Sequence, residues 1–173
     1  MQAVDVVRSL ADRVAPVTIS RIGRVAMTTA DAAIEKPNTV VLVTGQSTYI
    51  LLRYSPGGLT CASGSDLTAL WPAGDHEPDE WLEVAAMPEG PPPSAFPATV
   101  TQVSAHIGTG TYEDVLGLTL RTSTGAELVL STGEDQLDVV SMDAMLLSVQ
   151  KVAEWAKMRV EQVTFIPGHL TGR

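Results

Sequence analysis

The most constraining part of this sequence is residues 114–140, DVLGLTLRTSTGAELVLSTGEDQLDVV. In its first half, apolar side chains recur at every second position, which is the spacing of one face of a β-strand: Leu116, Leu118 and Leu120. The alternation returns at Leu128 and Leu130, after a loop in which Gly125 can supply the positive φ of a short hairpin. A second turn at 132–135 precedes a third apolar segment. The pattern predicts a three-stranded antiparallel meander.

The opposite face of this meander is predicted to be polar. The residues between the leucines are of the kind that solvent-facing strand positions carry: Thr119, Arg121, Glu127 and Ser131. An antiparallel sheet with one apolar and one polar face is commonly packed on one side only. We therefore expect a core on one side of the meander and water on the other.

Helices are predicted at both ends of the chain. Residues 2–14 place apolar side chains three or four positions apart, which makes one apolar stripe on a helix. Ser141 or Asp143 is expected to cap a second helix that ends near Met158. Further strands are expected at 17–28, 40–54 (a second hairpin), 99–107 and 163–166. The predicted fold class is α+β, with a mainly antiparallel sheet and an N-terminal and a C-terminal helix.

The two halves of the chain resemble each other in plan. Residues 17–22 (VTISRI) and 98–103 (ATVTQV) are each followed by a glycine, a spacer and a strong hairpin. We interpret 17–60 and 98–142 as two pseudo-repeats within a single domain that covers 1–173. If a duplication produced them, we expect two equivalent three-stranded units in one sheet or in a partly closed barrel.

A connection rich in proline and acidic residues, 63–97, joins these two units. It contains the acidic run DHEPDEWLE at 75–83 and three consecutive prolines at 91–93, which must be extended. The connection is either an interdomain linker or a loop folded over the sheet. Trp71 and Trp81 favour the folded loop, because disordered linkers contain few such residues.

The composition excludes several classes of protein. No apolar run approaches the ~18 residues that a membrane span requires, and charges interrupt the N-terminal helix, which is unlike a signal peptide. We therefore expect a cytoplasmic protein with no membrane partner. Cys61 is the only cysteine. An internal disulfide is thus impossible, and a cysteine-based zinc site is not expected.

The net charge of −9 is distributed unevenly. Residues 1–60 carry six Lys or Arg against four Asp or Glu, whereas residues 61–173 carry five against sixteen. Between Asp66 and Asp143 the only Lys or Arg is Arg121. This window argues against direct contact with nucleic acid, because phosphate contacts need Lys and Arg. It favours a basic protein partner under electrostatic steering, although solubility alone is the simpler interpretation.

No pattern in the sequence predicts catalysis, a cofactor or a metal site. The acidic run around His76 lacks both EF-hand spacing and a helical ligand pair, so we interpret it as a solvated loop. His106 ends a predicted strand and His169 lies near the C-terminus, and neither has an evident partner. Cys61 follows a turn where no base can be placed, so a buried, unreactive cysteine is expected. These observations favour a non-enzymatic protein.

One cluster of carboxylates is a candidate partner-binding site. Glu134 and Asp135 lie in the last turn of the meander and Asp138 in its last strand, and Glu113 and Asp114 are expected nearby if the strands pair in order. The leading hypothesis is that this acidic surface binds a basic protein. An immunity-type or inhibitor protein that neutralises a basic toxin or nuclease would have this physical character.

Two other classes of function stay open. A small-ligand module or enzyme would use a pocket near Trp71 and Trp81, with His106 and Tyr112 as further contacts. A structural or assembly subunit, of a phage or a secretion machine, would add strands at an open sheet edge and form a homo-oligomer.

Overall fold

The computed structural model describes residues 2–15, 17–72, 79–133 and 135–168. The helices are α1 (Ala3–Val14), α2 (Leu67–Leu70) and α3 (Met142–Ala156), and a 3-10 turn covers Pro93–Ala95. The strands, in chain order, are β1 (Ile19–Thr28), β2 (Ala33–Glu35), β3 (Thr39–Thr44), β4 (Tyr49–Ser55), β5 (Gly58–Gly64), β6 (Trp81–Ala86), β7 (Val100–Thr109), β8 (Glu113–Thr122), β9 (Glu127–Gly133), β10 (Gln136–Val139) and β11 (Arg159–Phe165). No helix in this described part is long and apolar enough to cross a membrane.

The strands form two antiparallel sheets. In sheet A, β1, β3, β4 and β5 pair in that order, β2 pairs with the end of β1, and β6 pairs with the opposite edge of β1. In sheet B, the order is β10-β9-β8-β7-β11. Short loops rich in Gly, Ser and Thr separate the alternating apolar segments, and they let consecutive strands fold back on each other. The predicted α+β class, the mainly antiparallel pairing and both terminal helices are confirmed.

The main core lies between the two sheets and α1. The apolar stripe of α1 contacts β5 of sheet A and β7 and β8 of sheet B, so this helix closes one side of the core. The core takes fully buried leucines from all three layers: Leu10, Leu42, Leu52, Leu118, Leu120, Leu128 and Leu130. Burial of such a side chain contributes about 1.5–3 kcal/mol, which makes this cluster the main stabilising feature of the fold.

Both sheets are also covered on their outer faces. On sheet A, Val41 and Leu51 pack with Trp71, the residue that follows α2. On sheet B, Leu116 and Val129 pack beneath α3. A helix or connection therefore lies over each sheet, and each central strand is buried from two sides.

The prediction that the meander is covered on one side only is wrong. Thr119 and Ser131, expected to face solvent, are only 9% and 7% exposed. Ser131 donates a hydrogen bond of 3.0 Å to the hydroxyl of Ser148 on α3. Strand alternation distinguishes the two faces of a sheet, but a helix with its own hydroxyl groups can cover a partly polar face.

A bulge in β8 changes which leucines share a face. The register between β7 and β8 skips one residue, so Leu116 has no partner on β7. Leu116 consequently packs beneath α3, whereas Leu118 and Leu120 lie in the main core. The prediction that all three leucines share one face is wrong, because alternation holds only while a strand is regular.

Part of the connection 63–97 is built into sheet A. β6 pairs with β1 from Gly23 to Thr28, and Trp71 is buried. A Cβ on Gly23 would meet Val84 and Ala85 of β6, so Gly23 lies where β1 and β6 approach each other closely. The register shift between β1 and β3 occurs earlier in β1 than Gly23. The sequence pattern did not predict β5, because its small and polar residues lack an apolar alternation.

The two sheets share details of local pairing. β1 and β7 each contain a register shift near their start. In sheet A the amide of Gly45 donates to the carbonyl of Thr18 at 2.8 Å, and in sheet B the amide of Ser123 donates to the carbonyl of Thr99 at 2.9 Å. The two hairpins share this local pairing but lie in different sheets, so they do not form one common sheet. Their origin by duplication stays a prediction.

Candidate functional site

Helix α3 exposes large apolar side chains. Ser141 begins the helix, since its hydroxyl accepts a hydrogen bond of 3.1 Å from the amide of Ala144. Met145 and Val149 face sheet B and are buried at 0% and 5% exposure. On other sides of the same helix, solvent reaches three large apolar residues, which are 43%, 52% and 84% exposed: Leu146, Leu147 and Trp155.

Two of these residues share one flank of α3. Leu147, Lys151 and Trp155 follow each other at intervals of four residues, which places them along one side of the helix. We call these three residues the α3 flank. An indole ring that is 84% exposed is unusual, because tryptophan is highly buried on average.

A groove lies between the α3 flank and the edge of sheet B. Its volume is about 470 Å³, and it is lined by residues of β9, β10 and α3: Ser131, Gly133, Asp138, Ala144, Leu147, Ser148, Lys151 and Val152. The hydrogen bond between Ser131 and Ser148 satisfies these two hydroxyls within the groove. Asp138 and Lys151 supply one negative and one positive charge to its walls.

Two of the predicted partner-binding carboxylates lie at this groove or in the turn before it. Asp138 lines the groove and is exposed. Asp135 is exposed in the turn that precedes β10, where it adopts a φ of 60°. Glu134 lies outside the described residues. The structure thus brings Asp138 together with Leu147, a residue that the sequence reasoning did not single out.

The other two predicted carboxylates have structural partners. The Oε1 atom of Glu113 accepts a hydrogen bond of 2.6 Å from the amide of Ala3, the first residue of α1. Glu113 therefore satisfies a free amide of the helix N-terminus, where Gln2 makes no side-chain cap. Asp114 accepts a hydrogen bond from the hydroxyl of Tyr54. Glu113 therefore stabilises the N-terminus of α1, and Asp114 stabilises the contact between the two sheets.

The groove and the α3 flank were missed at the sequence level, although a signal was present. The predicted inner stripe of α3 is Met145, Val149, Val152 and Ala156. Leu147 and Trp155 do not belong to that stripe. Large apolar residues outside the buried face of an amphipathic helix indicate a surface available for contact.

The residues of the small-ligand alternative do not come together. Trp71 is buried on the outer face of sheet A, where the guanidinium of Arg53 lies 4.9 Å from its ring. Ala105 faces the core, so its neighbour His106 lies on the outer face of sheet B. Burial there lowers the pKa of His106. Trp81 is 45% exposed on β6 and Tyr112 is 53% exposed in the β7–β8 turn. The main core separates Trp71 from His106, so these four side chains cannot line one pocket.

The described residues contain little reactive chemistry. Burial raises the pKa of the Cys61 thiol to about 11, although the nearby Arg13 lowers it in part. A thiol with this pKa is a poor nucleophile at neutral pH. No group of three or more His, Cys, Asp or Glu side chains in the described ranges could hold a metal ion. His76 and His169 lie outside those ranges.

No protein-family model, curated protein or solved structure matches this chain.

Proposed function

We propose that this chain is a non-enzymatic protein-binding domain, and that the α3 flank with its groove binds a basic protein partner. The observation that carries this proposal is the exposure of Trp155, at 84%, on the same flank as Leu147. Tryptophan is strongly enriched among the residues that dominate binding energy at protein interfaces. Leucine is under-represented there, and we assign Leu147 a supporting role beside the groove.

The charge near this surface supports a basic partner. Asp138 lines the groove, and Asp135, Asp143 and Glu154 are exposed on the turn before β10 and on α3. The exposed bases nearby are Lys151 on the α3 flank and Lys157 and Arg159 after the end of the helix, so the negative charge lies mainly at β10, the turn before it and the start of α3. Negative charge at the border of an apolar contact accelerates association with a basic protein and selects against acidic ones. Nucleic acid is not part of the proposal, because phosphate would be repelled by this border.

An immunity-type or inhibitor protein acting in the cytoplasm is the form of this function that we favour. Such a protein needs a stable scaffold, a fixed apolar anchor and a charged border, and it needs no catalytic group. Both terminal helices pack on buried cores, so α3 offers a rigid surface that loses little entropy on binding.

The test is quantitative capture of partners by the tagged chain from lysate of its own source, followed by titration of the purified partner. Trp155→Ala is expected to weaken binding by about 30-fold or more, as truncation of an interface hot spot does. The matched control is Ile34→Ser, because Ile34 is 63% exposed on β2 of sheet A, away from α3. Both variants should retain the unfolding midpoint of the wild type.

The electrostatic part of the proposal has its own test. Asp135→Asn combined with Asp138→Asn should slow association at low salt and reduce the salt dependence of the affinity. Asp12→Asn combined with Asp31→Asn changes the net charge equally at exposed positions elsewhere. Equal effects of the two pairs of substitutions on association would argue against a charged binding site at β10. Equal affinities of Trp155→Ala and Ile34→Ser for the partner would overturn the site on α3.

Self-association is the main competing use of the α3 face. A second copy of the chain would cover the same apolar residues, and sedimentation equilibrium would then give a dimer that Trp155→Ala converts to a monomer. That result would replace the basic partner with an assembly function.

A further inference from the structure

A gap interrupts the outer edge of β1 in sheet A. β6 pairs with this edge from Gly23 onward, and Ala98 forms an isolated antiparallel bridge with Ile19 on the same edge. The amide of Ile19 donates to the carbonyl of Ala98 at 2.7 Å, and the reverse bond measures 3.0 Å. Between these two pairings, residues 20–22 have no strand partner on this edge among the described residues.

A cavity of about 280 Å³ occupies this gap. One wall is β1, through Ser20, Arg21 and Ile22. The opposite wall is the chain that leaves β6, and its side chains are mostly apolar: Met87, Pro88, Pro91, Pro92, Pro93 and Phe96. The cavity has the composition of a small-molecule site, which is mainly apolar with few polar groups.

Hydrogen bonds within the chain hold the proline-rich wall in place. The amide of Gly90 donates to the carbonyl of Met87 at 3.0 Å, and the amide of Phe96 donates to the carbonyl of Pro93 at 3.1 Å. The hydroxyl of Thr124, in the turn after β8, donates to the carbonyl of Ala95 at 3.1 Å. Because proline also restricts φ, this wall loses little conformational entropy when a ligand binds.

Among the described residues that line the cavity, Arg21 is the one that carries a charge. Its guanidinium is exposed, and the bond that it makes within the described chain is a long one of 3.4 Å to the carbonyl of Val84. No carboxylate of the described residues forms an ion pair with Arg21. The hydroxyl of Ser20 is turned towards β3, where it donates to the carbonyl of Val43 at 3.0 Å. An apolar cavity with a single cation at its wall fits an apolar anion.

We propose that this cavity binds a small carboxylic acid with an aromatic or branched aliphatic body. The carboxylate pairs with the guanidinium of Arg21, which has the fork geometry for a planar carboxylate. The apolar body packs against Met87, Phe96 and the prolines. None of the lining residues belongs to α3 or to sheet B, so this site is independent of the proposed protein-binding surface.

The methionine methyl groups allow a direct test by NMR. The full chain, labelled at the methionine methyls, is titrated with 3-phenylpropanoate and, separately, with its uncharged analogue 3-phenylpropanamide. Met87 lines the cavity, whereas Met142, Met145 and Met158 lie at α3 and its end. The expected result is a saturable shift of the Met87 signal, with the signals of Met142, Met145 and Met158 unchanged and the acid bound more tightly than the amide.

Two variants assign the contacts. Arg21→Gln should weaken binding of the acid about fivefold or more, down to the level of the amide, because a charge-assisted pair is lost. Arg159→Gln, on exposed β11, should leave the affinity unchanged. Ala86→Trp adds a large side chain at an exposed position of the cavity lining and should abolish binding of both probes. The methyl spectrum reports whether this last variant remains folded.

Three results would overturn the proposal. One is the absence of any saturable Met87 shift at millimolar probe. Another is a shift of the Met142 and Met145 signals in its place, which would locate binding on α3. The third is equal affinity of the acid for the wild type and Arg21→Gln, which would leave an apolar cavity without selectivity for anions.

Discussion

The hydroxyl of Tyr54 donates to the Oδ2 atom of Asp114 at 2.5 Å. Tyr54 lies on β4 of sheet A and Asp114 on β8 of sheet B, so this bond joins the two sheets across 60 positions of sequence. The pair lies beside the N-terminus of α1, where Glu113 meets the amide of Ala3. Both sheets and α1 therefore meet at one polar contact. Its removal should lower the stability of the whole fold.

Tyr54→Phe should lower the free energy of unfolding at pH 7 by about 1–3 kcal/mol, because it leaves a partly buried carboxylate oxygen without its donor. Urea denaturation measures the change. Tyr112→Phe is the control, since Tyr112 is 53% exposed and its hydroxyl should contribute less than about 0.5 kcal/mol. Equal stability losses in the two variants would mean that the bond between the sheets contributes nothing specific.

The difference in unfolding free energy between Asp114→Asn and the wild type should shift in favour of the variant as the pH rises from 4 to 7. Burial raises the pKa of Asp114 above its usual value of 3.8, although the hydrogen bond from Tyr54 lowers it in part. Between the unfolded and the folded pKa the native state binds more protons than the unfolded state, so stability falls as the pH rises through this window. Asparagine has no such titration and retains an acceptor for Tyr54.

The measurement is the unfolding free energy of the wild type and Asp114→Asn at several pH values. Asp31→Asn, at an exposed position, corrects for the loss of one charge. A stability difference that stays constant or shrinks with rising pH would contradict the raised pKa.

Arg24→Met should lower the unfolding free energy by about 2–4 kcal/mol, because it leaves the buried carbonyl of Thr39 without its guanidinium donor and removes a charged group from a buried site. Arg24 is 6% exposed on β1, and its Nη1 atom donates to the carbonyls of Pro37 and Thr39 at 2.9 Å each. Its Nε atom also pairs with Glu89 at 3.3 Å. Arg21→Met, on the same strand but exposed, should change stability by less than about 0.5 kcal/mol. Thermal or urea unfolding compares the two, and a similar effect of both would refute the buried role of Arg24.

Gly117→Ala should destabilise the packing of α3 on sheet B by about 1–3 kcal/mol. A Cβ at this position would lie 2.5 Å from Sδ and 2.9 Å from Cγ of Met145. Gly133→Ala is the matched control in sheet B, since its Cβ would meet nothing within 4 Å. Hydrogen exchange of the α3 amides, measured in both variants, should show faster opening for Gly117→Ala alone.

Cys61 should react slowly with iodoacetamide while the chain is folded. Burial raises the pKa of this thiol to about 11, from a usual 9.0, so the thiolate fraction at pH 8 falls. We expect alkylation roughly 10- to 100-fold slower in native buffer than in 6 M guanidinium, since the thiolate is the reactive form. Mass spectrometry of timed samples gives both rates. Equal rates would show that the thiol is not desolvated in the native state.

Much of the local structure was predictable from residue patterns. The alternation at Leu128 and Leu130 predicted strand β9 and its inner face, and Ser141, the cap of α3, was one of the two predicted candidates. These features depend on neighbouring residues only, because alternation and capping follow from backbone geometry within a few positions. β5 was missed for the same reason, since its residues carry no local pattern and its pairing comes from β4.

The candidate sites depended on contacts that no local pattern contains. Trp155 lies outside the inner stripe that the sequence predicts for α3, but its 84% exposure depends on how the helix packs on sheet B. Asp114 belonged to a predicted acidic surface, but its carboxylate accepts a hydrogen bond from Tyr54 on the other sheet. The gap in the edge of β1 exists because two distant segments, β6 and the residues around Ala98, pair with that edge and leave a space between them.

The sequence by itself therefore determined the fold class, the central strands and the capped helix α3, because hydrophobic periodicity and turn chemistry act over a few residues. Only the tertiary structure decided which faces are covered, where β8 bulges and which carboxylates stay exposed. Those outcomes follow from the pairing and packing of segments far apart in the chain, which no local pattern of residues contains.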